Sequence, residues 1–328
     1  MVPRMAYDTV LLEHAGGVST LTLNRPPVNA VSPALMQDVL AALDALEARE
    51  ATRCIVLTGS GTKAFSAGAD LAGGPRAADE AVRFRELGRR VVDRVETIGK
   101  PVIAAIRGWC IGGGFAIAMA CDVRLASSTA KFRTGDAYLG VVPSWGMSLV
   151  RLAHYIGRNR TLDILVLGED VGGEHARDIG LVSRVIPDAD FDAEVARLAA
   201  RVAGGAPITF RAVKEAIRAQ YWQTPDEAQR LETRWAEIGA ASEDFREGVA
   251  AFKEKRPPCS RGAESLSRGD ENLDDARGAL TLFDVPRDER QMELSRCGDV
   301  DRIGTSNPEA GREASRRARQ LFVDRQKP

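Results

Sequence analysis

Histidine is nearly missing from this sequence. Only His14, His154 and His175 occur among 328 residues, and they form no ligand-like spacing. Neither a His-based metal site nor a Ser/His/Asp triad is supported. Cysteine is sparse too: Cys54, Cys110, Cys121, Cys259 and Cys297 are odd in number, far apart and free of any CxxC pair. Three of them stand in apolar or Gly-rich runs, where a reduced thiol acts as a small hydrophobe, so a reducing, cytoplasmic setting is expected. No apolar run is long enough to span a bilayer. The opening MVPRMAYDTV lacks the apolar stretch of a secretory signal. No charge of one sign is in excess: 45 basic residues stand against 46 acidic ones, a formal net charge of -1. This argues against a surface spread over the molecule for nucleic acid or anionic membrane, and leaves room for a local basic pocket.

What is present is ordinary for a globular chain, with 44% apolar and 28% charged residues. Tyr7 to Glu13 and Val18 to Leu23 are short β-rich runs joined at Gly16-Gly17, which predicts a hairpin. Ser32-Pro33 reads as an N-cap and first-turn proline. Leu35, Met36, Val39, Leu40, Leu43 and Leu46 follow at helical spacing. Cys54 to Thr58, Pro101 to Ile106 and Val123 to Ala126 are strand candidates, with a polar, Arg-bearing helix expected from Asp79 to Ile98. The alternation predicts an α/β fold. From about Glu174 the pattern turns helical: Phe191 to Val202, Thr209 to Gln220, Asp226 to Ile238 and Asp244 to Lys253, the last with Ser242 as its N-cap. After Arg256-Pro257-Pro258 the chain becomes rich in Arg, Asp, Glu, Gly and Ser, with only short apolar clusters. Such a composition buries too little surface to offset ordering entropy, so disorder or loose attachment is expected there. No internal sequence repeat is found.

The most informative stretch is IAAIRGWCIGGGFAIAMACDV, residues 103–123. Gly112-Gly113-Gly114 stand between an apolar strand and an Ala-rich apolar helix. Glycine permits close backbone approach, and the first N–H groups of a helix lack internal partners. On this logic alone an oxyanion site, a phosphate loop and tight strand–helix packing all stay open. No Walker lysine and no GxGxxG follow, which disfavours nucleotide motifs. A second small-residue turn, AFSAGADL at 64–71, again follows a strand. Two such turns could each direct one N–H at a single oxygen, the arrangement an oxyanion hole needs.

These segments are similar, in order and spacing, to those of the enoyl-CoA hydratase/isomerase (crotonase) family. Residues 103–123 resemble its signature, AFSAGADL its first oxyanion loop, NRPPVNAV at 24–31 its early CoA-binding turn, and FRTGDAYLGVVP at 132–143 the segment carrying its second acid. The resemblance covers roughly Tyr7 to Arg256. It implies a spiral of ββα units over 1–190, a helical region over 191–256 that joins subunits in a homotrimer or dimer of trimers, and a polar tail over 257–328. It implies an acyl-CoA substrate, with coenzyme A arriving as part of it and no other cofactor or metal.

Residue by residue, the resemblance makes the N–H groups of Ala67 and Gly113 the oxyanion donors. It assigns Val28, Ala30, Ala69, Asp70 and Leu71 to CoA binding and Gly112 to the same turn as Gly113. Arg25 could meet a phosphate or an ion-pair partner. The two glutamates that hold water in typical hydratases correspond to Ala116 and Asp136. Alanine moves no proton, so the expected chemistry is single-base isomerisation by Asp136, with hydration or dehydration as the alternative. Tyr138 is a further candidate proton donor, and Trp145 a wall of the acyl pocket or a core residue. A catalytically degenerate acyl-CoA binder, or an RNA-binding relative, is the reading from another class. The helix at 79–98 mixes Arg with Asp and Glu, which weighs against an RNA patch, so no nucleic-acid partner is expected.

Overall fold

The computed structural model describes residues 7–73, 77–134, 136–145, 148–219 and 223–260. The tail from residue 261 onward therefore lies outside the described residues. Strands β1 (Val10–Ala15) and β2 (Val18–Leu23) form the expected antiparallel hairpin. Its turn needs two residues with positive φ, which Gly16 and Gly17 provide at 53° and 84°. Helix α1 (Pro33–Ala48) starts where Ser32 accepts a hydrogen bond from the Leu35 N–H. It buries the stripe Leu35, Met36, Val39, Leu43 and Leu46.

The chain then repeats one move. Strand β3 (Cys54–Gly59) runs into β4 (Ala64–Ser66) and back through α2 (Ala78–Thr97). Strand β5 (Val102–Ile106) runs into β6 (Trp109–Ile111) and back through α3 (Gly112–Ala120). Strand β7 (Val123–Ser127) runs into β8 (Lys131–Arg133). The first strand of each turn joins one sheet and the second another. With β9 (Val171–Gly172) and β10 (Arg184–Ile186), the sheets have the orders β1-β2-β3-β5-β7-β10 and β4-β6-β8-β9. This is the spiral of ββα units. Its repeat is one of topology, which is why no sequence repeat marks it.

Between β8 and β9 lie a 3-10 turn (Asp136–Leu139), α4 (Ser148–Ile156), α5 (Arg158–Leu162) and a π turn (Asp163–Leu167). Helix α6 (Gly173–Asp178) precedes β10. Then come α7 (Phe191–Ala203), α8 (Pro207–Ala219), α9 (Pro225–Ala241) and α10 (Glu243–Glu254). Thr224 and Glu227 make a capping box for α9, and Ser242 caps α10. Among the described residues no helix is long and apolar enough to cross a membrane.

Lys214 ties helix α8 to the spiral. Lys214 Nζ donates to the Val95 and Lys100 carbonyls and to Asp122 Oδ2, at 3.0, 3.2 and 2.9 Å. A second polar link, Arg151 to Glu96 at 2.7 Å, ties α4 to α2 in the interior.

Candidate active site

The two glycine-bearing turns meet. In the first, buried Ser66 donates to the Asn29 carbonyl at 2.7 Å and accepts from the Gly68 N–H at 3.2 Å. The Ala67 N–H donates to the Val28 carbonyl at 2.9 Å. Val31 then pairs with Ala69 in a short parallel bridge. The Val31 N–H donates to Gly68 O at 2.7 Å, and the Asp70 N–H donates to Val31 O at 2.9 Å. Ala69 sits between those two bonds, so its own N–H leaves the other edge of the extended chain. No acceptor for it occurs among the described residues.

The second turn packs closely against the first. A Cβ on Gly68, whose φ is +81°, would lie 2.7 Å from Ile111 O and 3.3 Å from Gly113 N. A Cβ on Gly114 would lie 2.5 Å from the Ser66 side chain. Only glycine lets the two backbones approach this closely. Helix α3 begins here with no capping side chain and no acid in its first turn. Its leading N–H groups, Gly113 among them, have no partner within the helix.

Beside this junction is a cavity of about 470 Å³. Its wall includes Ala67, Ala69, Asp70, Leu71, Gly112, Gly113, Ala116, Asp136 and Trp145. It also includes Phe84, Arg85, Phe115, Leu152 and Leu165, which the sequence reading did not single out. Asp70 and Asp136 are its only carboxylates among the described residues. Asp70 is already engaged: Arg25 holds it at 2.6 Å, and the Gly73 and Ala72 N–H groups donate to its other oxygen. The Gly73 backbone bond first, and Arg25 next, keep its carboxyl below the ordinary aspartate value. Asp136 is half-buried with no cation against it. Burial pushes its pKa up, opposed by a bond from its own backbone N–H.

The sequence model of the enoyl-CoA hydratase/isomerase family matches residues 13–262. The chain belongs to this family. It is 34% identical over 254 residues to the crotonyl-CoA hydratase of Syntrophomonas wolfei, covering 77% of this chain and 97% of that one. It is 36% identical over 260 residues to a probable enoyl-CoA hydratase of Rhodobacter capsulatus, covering 79% of this chain and 100% of that one. Among solved structures it resembles an enoyl-CoA hydratase from Bacillus anthracis, with a TM-score of 0.74 at 32% identity, covering 78% of this chain and 100% of that one. The spiral described above is thus the crotonase fold.

Within this crotonase architecture several expected residues fall differently. Ala67 cannot offer its N–H to a ligand, because that N–H is held by Val28 O. Ala69, by contrast, keeps an N–H with no acceptor among the described residues. Tyr138 is not in the cavity wall: its hydroxyl donates to the Val166 and Leu167 carbonyls at 3.0 and 2.9 Å, satisfying groups left over at the end of the π turn. Its ring packs on Gly168. Val28 and Ala30 also stand outside the wall, their carbonyls accepting from Ala67 N–H and from Arg25 Nη1. Arg25 takes the ion-pair option, on Asp70. Ala116 is buried in the wall beside Phe115, with no acid in its place. Trp145 is both wall and core, at 8% exposure and edge-to-face with Phe84. On α2, Arg83, Arg89 and Arg94 are each ion-paired to acids, so that face is mixed.

Proposed function

We propose that this chain is an acyl-CoA enzyme that forms a thioester enolate and moves a proton with a single carboxylate. The preferred reaction is isomerisation of an enoyl-CoA. The observation that carries this reading is the inventory of the cavity wall: among the described residues Asp136 is its one carboxylate without a cation, and Ala116, to which the family resemblance assigns the partner acid, brings none.

In the proposed cycle the thioester oxygen lies between the N–H groups of Gly113 and Ala69. As Asp136 takes a proton from C2 or C4 of the acyl chain, the electron pair moves onto that oxygen. The fixed dipoles meet the charge there without reorganising. Loss of one such donor costs about 2.7–4 kcal/mol in comparable sites. The protonated Asp136 returns its proton to the other carbon, and the double bond has shifted. Burial favours the neutral acid, so the residue is suited to hold the proton between the two transfers.

The curated relatives carry hydratase names, and this supports hydration or dehydration as the second reading. Exposed Val213 and Ile217 on α8 and Phe252 on α10 support self-association through the helical region. The test is to incubate the protein with 2-enoyl-, 3-enoyl- and 3-hydroxyacyl-CoA thioesters and identify the products by mass and NMR. Interconversion of 2- and 3-enoyl thioesters without water gain supports isomerisation. Formation of 3-hydroxyacyl thioester at comparable rates supports the hydratase. Binding without turnover would leave a degenerate binder.

A further inference from the structure

The cavity has a mouth and a floor, distinguished by burial. Leu71, Leu139, Val141 and Val142 on its rim are exposed, while Phe84, Phe115, Ala116, Trp145 and Leu152 are buried. Trp145 occupies a special place on that floor. A Cβ built on Gly113 would lie 2.4 Å from its Cζ3, and one built on Gly88 would lie 2.4 Å from its Cδ2 and Cε2. The indole therefore rests directly on the backbones of α3 and α2, filling space that any side chain at either glycine would claim. Gly88 is interior to a 20-residue helix. Glycine there is entropically costly, so its presence calls for a packing reason. The indole supplies that reason. Phe84, one turn earlier on α2, holds the ring edge-on at 5.3 Å between centroids.

We propose that Trp145 is the specificity-determining residue of this site: its indole, seated on Gly88 and Gly113, ends the acyl channel and restricts the enzyme to short acyl groups. This rests on the reading that an acyl thioester binds with its oxygen at Gly113. Held there, the first carbons of the acyl group lie against the ring that covers Gly113. A longer chain has to displace the ring, which both helix backbones and Phe84 keep from moving. Leu149, Leu152 and Leu165 also contribute apolar wall. None of them is wedged between two glycines.

The experiment compares the full chain with Trp145→Ala and Trp145→Phe. Binding of saturated butanoyl-, hexanoyl-, octanoyl- and dodecanoyl-CoA is measured by calorimetry, and kcat/KM is measured on the matching enoyl thioesters. The wild type is expected to prefer the four-carbon over the eight-carbon thioester by at least about tenfold, the scale at which an apolar pocket discriminates by size. Trp145→Ala should shift that ratio by at least about tenfold toward the longer chain, with Trp145→Phe between the two. Gly88→Ala adds a second measurement. Alone it pushes against the indole and should weaken four-carbon binding, whereas in the Trp145→Ala background it should change little. An unchanged length preference in folded Trp145→Ala and Trp145→Phe proteins would overturn the proposal, as would a wild type that binds dodecanoyl-CoA as well as butanoyl-CoA. Absence of binding for every thioester would instead overturn the functional reading on which the proposal stands.

Discussion

Asn at position 136 separates what Asp136 does for chemistry from what it does for stability. The substitution keeps the size and shape of the side chain and removes the titrating proton. A positioned general base contributes about 10²- to 10⁴-fold, roughly 3–5 kcal/mol of transition-state free energy. No other unpaired carboxylate lines the cavity among the described residues, so Asp136→Asn should lose activity across that range. The pH dependence follows from burial. The base must be ionised to act, and burial raises its pKa above the ordinary aspartate value. Wild-type kcat/KM should therefore fall with acid through that raised pKa, and this limb should vanish in Asp136→Asn. Stability should move the opposite way. A folded-state pKa above the unfolded one means that the folded protein holds the proton more tightly. That preference is complete below the unfolded value of about 3.9 and is lost as pH rises through the folded pKa. Asn pays no charge-burial cost at any pH, so the variant should melt higher than wild type near neutrality, with the gap closing in acid. Thermal melts across pH and kcat/KM profiles of both proteins check this. Full activity in Asp136→Asn would refute the lone-base mechanism, and a melting difference independent of pH would refute the burial argument.

Three further outcomes are expected. Ala116→Glu restores a second carboxylate in the wall and should produce measurable 3-hydroxyacyl thioester from a 2-enoyl-CoA, in modest yield because Asp136 is a methylene shorter than glutamate and Phe115 shares that wall; a parent that already hydrates at typical hydratase rates would refute the argument from Ala116. Gly68→Ala puts a methyl 2.7 Å from Ile111 O at a positive φ, and kcat/KM should fall at least about tenfold as the two turns separate, so normal turnover in a folded variant would refute their role as a pair. Lys214→Met leaves Asp122 without its cation and two carbonyls without their donor. Denaturant unfolding should show a loss of about 2 kcal/mol, less than for a fully buried pair because the Asp122 side chain keeps 29% exposure.

Local chemistry made much of this protein readable in one dimension. Ser32-Pro33 and Ser242 start α1 and α10 as their side chains dictate, because a cap satisfies N–H groups two or three residues away. The hairpin at Gly16-Gly17 and the glycine turn before α3 were legible for the same reason: positive φ and an unpaired helix start are properties of a few neighbouring residues. The family likeness rested on the order of such segments, and it extended to the alanine at 116. The three-residue strands β4, β6 and β8 carry too little periodicity to be read, since their existence depends on partners some 20 to 45 positions away. The same distance hides whether the Ala67 or the Ala69 amide is engaged. Ala67 and Ala69 look alike in sequence, and only the pairing of Val28 and Val31 with that loop commits one N–H and spares the other. Tyr138 turns from the cavity because the π turn after α5 leaves carbonyls for its hydroxyl. Nothing near Gly88 announces that it serves an indole 57 positions further on. Sequence determined the elements and the chemistry they carry, through interactions a few residues in range. Tertiary structure decided which backbone groups and which volumes remain for a ligand, because that depends on what the rest of the chain has already occupied.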